Sequence, residues 1–469
     1  MNELPKGWTY TELGNLAEFT NGKAFKKEEW LETGKPIIRI QNLNNPSAVF
    51  NYADDSHESK YLVRHGDLLV SWSASLGVYF WHGKEAWLNQ HIFRVHSLRG
   101  CNKAFLKYAI ETSIDAFYAK SHGMGMVHIT KGKFQNHLVP LPPLAEQTRI
   151  AQKLDELLAQ VDTLKARIDG IPELLKRFRQ SVLAAAVSGR LTEEWRTINC
   201  KSNTQLTSPQ TDKSVAERAS SLPAGWSLKN AGDICGFITK GTTPGKEKMT
   251  AGQGDVPYIK VYNLTFSGVL DFSVDPTFID ADTHAIELKR SIVKPGDVLM
   301  NIVGPPLGKV SVVPATYPEW NINQAIARFR AGNEITSEYL ALCLRTEKVL
   351  NHAISRAKAT AGQFNLTLEI CRELPIPVPP TIEQTEIVRR VEQLFAFADQ
   401  LEAKVKTAQA RVDQLTQSIL AKAFRGELVP QDPNDEPASV LLERIKAQRA
   451  AEPKAKRGGK KFLRPDVKI

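Results

Sequence analysis

The sequence predicts an α+β protein: two mixed α/β globules joined by two long antiparallel helices that form an intramolecular coiled coil, with a pseudo-two-fold internal repeat. Three observations predict it. A stretch beginning Pro142-Pro143-Leu-Ala-Glu-Gln147 returns as Pro379-Pro380-Thr-Ile-Glu-Gln384 and stays in register, 237 residues on, as far as Gly189 and Gly426. Within each copy apolar residues recur in alternating steps of four and three, a helical seam. Ahead of each copy lie short β-rich runs broken by turn signals. A repeat of this length fixes the architecture before any single residue does.

The first globule is assigned to 1–141. Its strand-like runs are Ile37 to Ile40, Leu68 to Trp72, Val78 to Trp81 and Ile92 to Val95, with a helical patch from Phe105 to Phe117. The first repeat helix spans 142–195, and its seam runs Ile150, Leu154, Leu157, Val161, Leu164, Ile168, Ile171, Leu175, Phe178, Val182. Gly170 and Pro172 interrupt it. The helix either kinks there or stops and restarts with Asp169 as the cap and Pro172 in the first turn. A Ser-, Thr-, Asn-, Gln- and Lys-rich stretch makes 196–221 a polar linker.

The second globule, 222–378, repeats the landmarks of the first. Leu4-Pro-Lys-Gly-Trp8 matches Leu222-Pro-Ala-Gly-Trp226, Gly66-Asp67 matches Gly296-Asp297, and Leu88-Asn-Gln90 matches Ile322-Asn-Gln324. Strands are expected at Tyr258 to Val261, Val298 to Val303 and Lys309 to Val313, with helix from Ser337 to Ile354. The second repeat helix, 379–428, holds no Gly or Pro between Glu383 and Arg425, so it can run unbroken for roughly 65 Å at about 1.5 Å per residue. Gly189 and Gly426 suit the helix exits. The remainder, 429–469, reads as a short amphipathic helix near Val440 to Arg449 and a basic tail.

Across 469 residues the net charge is +10, a modest excess that is compatible with a polyanionic partner and does not by itself require one. Five scattered cysteines (Cys101, Cys200, Cys235, Cys343, Cys371) form no C-x-x-C pair, which points to free thiols in a reducing cytoplasm. No apolar run reaches membrane-spanning length, so no membrane association is expected. The histidines match no zinc spacing, and no metal site is expected. Lys240-Gly-Thr-Thr-Pro-Gly-Lys246 has the wrong spacing for a phosphate loop, and Glu247 stands where a Ser or Thr must face magnesium. Nucleophile elbows, metalloprotease pairs and the Asn-Pro-Pro-aromatic motif of DNA amino-methyltransferases are missing. A binding protein without catalytic residues or a cofactor of its own is therefore expected.

Loops between the strands carry the residue types that read nucleic acid. In the first globule the candidates are Lys23, Lys26, Lys27, Arg39, Gln41, Asn42, Ser71, Trp72, Ser73, Trp81, His82, Lys131 and Lys133. In the second they are Lys240, Thr242, Thr243, Lys246, Lys260, Tyr262, Asn263, Asn301, Lys309, Arg356, Lys358 and Gln363. Lys and Arg hold phosphates, while Asn, Gln and Arg pair bidentately with base edges. A plainer reading stays open for each: aromatics in the core, amides capping turns, lysines solvated. Surplus apolar positions on the helices, Leu158, Leu174, Phe178, Leu183, Phe395, Phe397, Leu420 and Phe424, are candidates for docking partner helices.

The chain resembles the specificity subunit of type I restriction-modification systems, in their enterobacterial branch. The likeness rests on Leu141-Pro-Pro-Leu-Ala-Glu-Gln147 with Leu154-Asp-Glu-Leu-Leu-Ala-Gln-Val-Asp162, on Arg177-Phe-Arg-Gln-Ser-Val182, and on Ser418-Ile-Leu-Ala-Lys-Ala-Phe-Arg-Gly426. Gly241-Thr-Thr-Pro244 also fits, while Asn21-Gly22-Lys23-Ala24 in the first globule departs from it. The resemblance implies that each globule is a target-recognition domain for one half of a split, asymmetric double-stranded DNA target. It implies that the helices set the gap and dock two methylation subunits, and that restriction or motor subunits complete the complex. S-adenosylmethionine, ATP and Mg2+ are implied for those partners, which methylate adenine and cleave DNA. The alternative is a DNA-binding or scaffolding protein unrelated to methylation, assembled through its coiled coil.

Overall fold

A computed structural model describes residues 3–45, 47–98, 100–120, 129–199, 222–360 and 363–451. The chain divides into two compact units, Met1–Ile168 with Ala408–Ile469, and Asp169–Thr407. Each unit thus holds one globule, part of the first repeat helix and part of the second.

In the first unit the globule has two sheets. One is antiparallel, in the order Ala17–Asn21, Ile92–Ser97, Leu68–Ser71, Gly77–Phe80. The other runs Asn51–Ala53, Lys35–Ile38, Ala86–Leu88, Leu62–Val63, with a single parallel pairing that sets Ile37 against Trp87 and Ile38 against Leu88. A short ribbon, Thr9–Glu12 against Leu138–Leu141, closes the globule where the helix begins. The central strands Leu68–Ser71 and Ala86–Leu88 are buried at every position, while Ala17–Asn21 at a sheet edge buries only Ala17 and Phe19. The second globule repeats the plan. Cys235–Lys240, Ile326–Ala331, Val298–Asn301 and Val310–Val312 form the antiparallel sheet, Tyr258 pairs in parallel with Asn321, and Ser227–Asn230 closes on Pro375–Val378.

The helices form where the seam predicts. The second runs unbroken from Thr381 to Phe424. The first stops and restarts, as Leu144–Asp169 and Ile171–Val187. Gly170, not Asp169, takes the cap position, and it keeps near-helical angles (φ −77°, ψ −19°). Gly189 (φ 78°) and Gly426 (φ 76°) adopt the left-handed conformation that ends a helix and that side chains resist.

Within the first unit Lys165 pairs with Asp413 at 2.7 Å, and Arg149 with Asp435 at 2.6 Å, so the two helical stretches run antiparallel. Within the second unit Arg179 reaches Asp399 and Glu402, and the Arg390 guanidinium donates to the Leu191 carbonyl, the same sense. Val161, Ile168, Val412 and Ile419 are buried in one unit, and Leu175, Val182, Val391, Ala398 and Val405 in the other. Two seam positions differ from expectation: Leu164 and Leu415 remain 43% and 44% exposed. A two-helix stack covers only one side of such a layer.

The expected linker begins later than predicted, because Glu193–Asn199 is helical. Its residues 200–221 lie outside the described residues, as do Cys200 and the basic tail from 452. The C-terminal helix, Ala438–Ala451, seats Leu441 and Ile445 beside Gly100 in the first unit. Among the described residues no helix is long and apolar enough to cross a membrane.

The repeated Glu-Gln pair explains how each globule is fixed to its helix. Gln147 is fully buried; its carbonyl oxygen accepts from the Asn102 amide at 2.9 Å and its amide donates to the Pro142 carbonyl. Gln384 does the same with Thr336 and Pro379. The Trp8 indole donates to Glu146 at 3.0 Å, and the Trp226 indole to Glu383 at 2.9 Å. Buried amides satisfied at both ends hold a globule in a single pose.

Candidate nucleic-acid interface

In the first globule a cleft of about 330 Å³ opens between Phe25, Trp30, Arg39, Ile40, Gln41, Asn89, Gln90 and His91. Three segments build it. The strand Lys35–Ile38 delivers Arg39 and Gln41 at its end, and its parallel neighbour Ala86–Leu88 delivers Asn89, Gln90 and His91. The Gly22 loop runs alongside, with the Lys23 amide donating to the Leu88 carbonyl at 2.8 Å. A side chain at Gly22 would strike the Asn89 carbonyl, which is why glycine stands there. Trp72 borders the same region, its indole donating to Asn21 at 3.1 Å and its ring 5.4 Å from His91.

The second globule repeats the backbone and changes the chemistry. Gly241 presses against the Ile322 and Asn323 carbonyls, and the Thr242 amide donates to Ile322. Thr242, Thr243, Lys240 and Lys246 are exposed on this loop, and Thr243 accepts from the Gln324 amide at 3.5 Å. Lys260 stands where Arg39 does, but it pairs with Asp275 at 3.7 Å and lies over Tyr262, whose hydroxyl also donates to Asp275. Lys309 lies over the half-exposed Phe266.

Several expected readers have structural duties instead. Asn42 is buried; it accepts from the Arg39 amide and donates to the Ala48 and Val49 carbonyls. Asn263 staples its turn the same way, through Lys260, Asp271 and Val274. Asn301 is buried against Pro306, Gly308 and Lys309. Ser71 and Ser73 are buried, Ser71 donating to the Ser75 carbonyl. A buried amide or hydroxyl already satisfied by backbone has nothing left for a base edge. Lys23 is held by Glu29.

Trp81 and His82 follow the strand Gly77–Phe80, whose end pairs with Leu68, at the far end of that hairpin from Trp72. Lys26 and Lys27 are exposed beside the Lys27–Glu29 turn. Lys131 and Lys133 lie exposed on the helix Lys131–Gln135, not on a loop, and the adjoining Ile129 amide donates to the Trp72 carbonyl. Arg356 ends a helix and pairs with Glu373. Lys358 and Gln363 belong to a β-ribbon, Lys358–Thr360 against Gln363–Asn365, and their side chains lie outside the described part. Sequence reasoning missed Gln90, His91 and Gln324 as site residues. The repeated Asn-Gln after Leu88 and Ile322 was the available signal.

A family model described as "Type I restriction modification DNA specificity domain" matches residues 5–173 and 223–409. The chain belongs to the specificity subunits of type I restriction-modification systems. It is 36% identical to the EcoBI specificity subunit of Escherichia coli, over 97% of this chain and 95% of that one. The EcoKI specificity subunit of Escherichia coli strain K12 is 33% identical over 98% of each chain. Among solved structures, a chain from a type I R-M system assembly aligns with TM-score 0.63 and 19% identity, covering 91% of this chain and all of that one. The HsdS subunit from Thermoanaerobacter tengcongensis aligns with TM-score 0.54 and 20% identity, covering 91% and 98%. These two share the fold. A specificity subunit supplies DNA recognition within its system and is not the catalytic component, in keeping with the missing methyltransferase motif.

The helix faces of this specificity subunit also depart from expectation. Leu183 is buried in the core of its own unit, and Phe178 and Phe395 pack against that core. Phe424 meets Phe105 at 5.4 Å in the first unit. These four side chains serve the unit itself. Leu174 and Phe397 are 60% and 56% exposed, while Leu158 and Leu420 are half-buried. Among the described residues no carboxylate pairs with the buried Arg345; it donates to the Phe266 carbonyl and lies over Phe395, and burial lowers its pKa to about 10. It ties a surface loop of the second globule to the second helix.

Proposed function

We propose that each globule reads one half of an asymmetric, bipartite duplex target, that the helices set the spacer between halves, and that two methylation subunits dock on the helices. Those partners carry S-adenosylmethionine and methylate adenine; restriction subunits add ATP- and Mg2+-dependent cleavage. The observation that carries this reading is the duplication. One scaffold occurs twice, anchored by the same Trp-Glu-Gln hub, while the residues at equivalent loop positions differ: Arg39 against Lys260, His91 against Ala325, Lys23 against Thr242. Scaffolds alike in backbone and unlike in loops suit two half-sites of different sequence. Exposed cations near the clefts, Lys131 among them, supply the sequence-independent phosphate contacts that set register.

Exchanging 222–378 for the corresponding globule of a relative is expected to change one half of the methylated target and leave the other intact. Sequencing of methylated adenines reads this directly, and a change in both halves defeats the proposal. Lys131→Glu is expected to weaken binding to all sequences alike and to lower the salt dependence by about one phosphate contact.

A further inference from the structure

We infer that Arg39 reads a guanine in the half-site of the first globule, and that the equivalent residue of the second globule, Lys260, does not read bases. The inference rests on the bipartite reading above and names the chemistry of one of its two sites.

Arg39 lines the cleft of the first globule together with three side-chain amides, those of Gln41, Asn89 and Gln90. Its guanidinium lies 5.6 Å from the centre of the Trp30 ring. Stacking on an indole restrains the planar fork, so little side-chain freedom is lost when it binds. Among the described residues no carboxylate pairs with it, although 26 ion pairs form elsewhere in them. A half-buried arginine left without an anion is held ready for an external acceptor. The guanidinium fork matches the two acceptors of a guanine in the major groove, O6 and N7, better than any other base edge.

Two further observations point to a polar ligand at this cleft. The Trp30 Nε1 and His91 Nδ1 atoms are buried with no hydrogen-bond partner among the described residues, and both residues line it. In the first unit the only other such side-chain atom is Glu146 Oε1, which lies in the helix hub.

The second globule supplies the contrast. Lys260 holds Arg39's position, directly before the same Asn-stapled turn, with the backbone amide of each donating to the asparagine three residues on. Lys260 is neutralised by Asp275 and covered by Tyr262, and Ala325 replaces His91. Lysine is a point charge without a fork. Recognition in that half therefore falls to other groups, the exposed Thr242, Thr243 and Gln324.

The test uses the full chain assembled with its methylation subunits. The half-site of the first globule is the one left unchanged when 222–378 is exchanged. Each purine of that half is replaced in turn by its 7-deaza analogue, which keeps base pairing and removes only N7. Wild-type complex is expected to lose between roughly fivefold and a hundredfold in binding at a single guanine. Arg39→Lys is expected to reduce that sensitivity, to relax selection at that base pair, and to leave the salt dependence and the second half-site as they were. Arg39→Gln is expected to relax the same base pair. A uniform loss across sequences with a shallower salt slope makes Arg39 a phosphate contact and overturns the inference. Sensitivity confined to 7-deazaadenine transfers the reading to Gln41 or Gln90 and also overturns it. Because the analogue scan uses wild-type protein, a misfolded variant cannot mask the result. A wild-type target with no two halves faults the bipartite reading instead.

Discussion

Glu146 and Glu383 occupy the same position in the two copies, accept from the equivalent tryptophans Trp8 and Trp226, and are both buried, yet their electrostatic surroundings are opposite. Glu383 receives the Thr192 hydroxyl at 2.7 Å and the Arg196 guanidinium, which the short helix after Gly189 returns to it. Among the described residues one oxygen of Glu146 has no hydrogen-bond partner, and burial raises its pKa. Arg149, a cation that acts on it, is committed to Asp435. The contrast teaches that a repeated motif fixes geometry while the segment after each helix, which does not repeat, decides whether the buried carboxylate is stabilised.

The largest effect is expected from Glu383→Gln. It leaves Arg196 without its anion, at a cost of about 3 kcal/mol to the second unit. Hydrogen exchange resolved by unit measures it; equal protection in mutant and wild type would remove the distinction between the two hubs. A much smaller effect, about 1 kcal/mol and of stabilising sign at neutral pH, is expected from Glu146→Gln, which keeps an acceptor for Trp8 and removes an unsatisfied charge.

The pH dependence sharpens the same comparison. The folded-state pKa of Glu146 is raised above its unfolded value. Its contribution is therefore fully present below the unfolded pKa and is lost as pH rises through the folded one. The benefit of Glu146→Gln should grow across that window and then level off. A benefit that shrinks with rising pH would contradict the assignment. The smallest effect belongs to the exposed Lys165–Asp413 pair. Lys165→Glu is expected to cost about 0.5 kcal/mol, and adding Asp413→Lys to restore it, in a double-mutant cycle on the first unit.

Much of this was legible in the sequence. The seven-residue seam announced both helices, and Gly170-Ile-Pro172 announced the break, because helix geometry is local. The strands at Leu68 and Val298 followed from short β-rich runs bounded by turn signals. The asparagines misled because Asn42 and Asn263 carry the right chemistry for a base edge, and only the fold reveals that turn carbonyls have taken it. The cleft was half-visible. Arg39 and Gln41 stood out, but Gln90 and His91 join them only through the parallel pairing of Ile37 with Trp87, a non-local register that no run of residues encodes. Leu183 and Phe424 looked like surplus because a heptad tells which side chains line a helix, not which globule lies behind it.

The Lys165–Asp413 ion pair also bears on which strands of a duplicated chain find each other. A protein made of near-copies risks matching like with like, first helix with first helix of another molecule. In that arrangement the place of Asp413 would fall to Lys176, setting lysine against lysine; for two second helices the place of Lys165 would fall to Glu402, setting it against Asp413. Only the mixed pairing is attractive there. A weak surface contact thus discourages the pairing of two first helices or of two second helices and favours a first helix against a second.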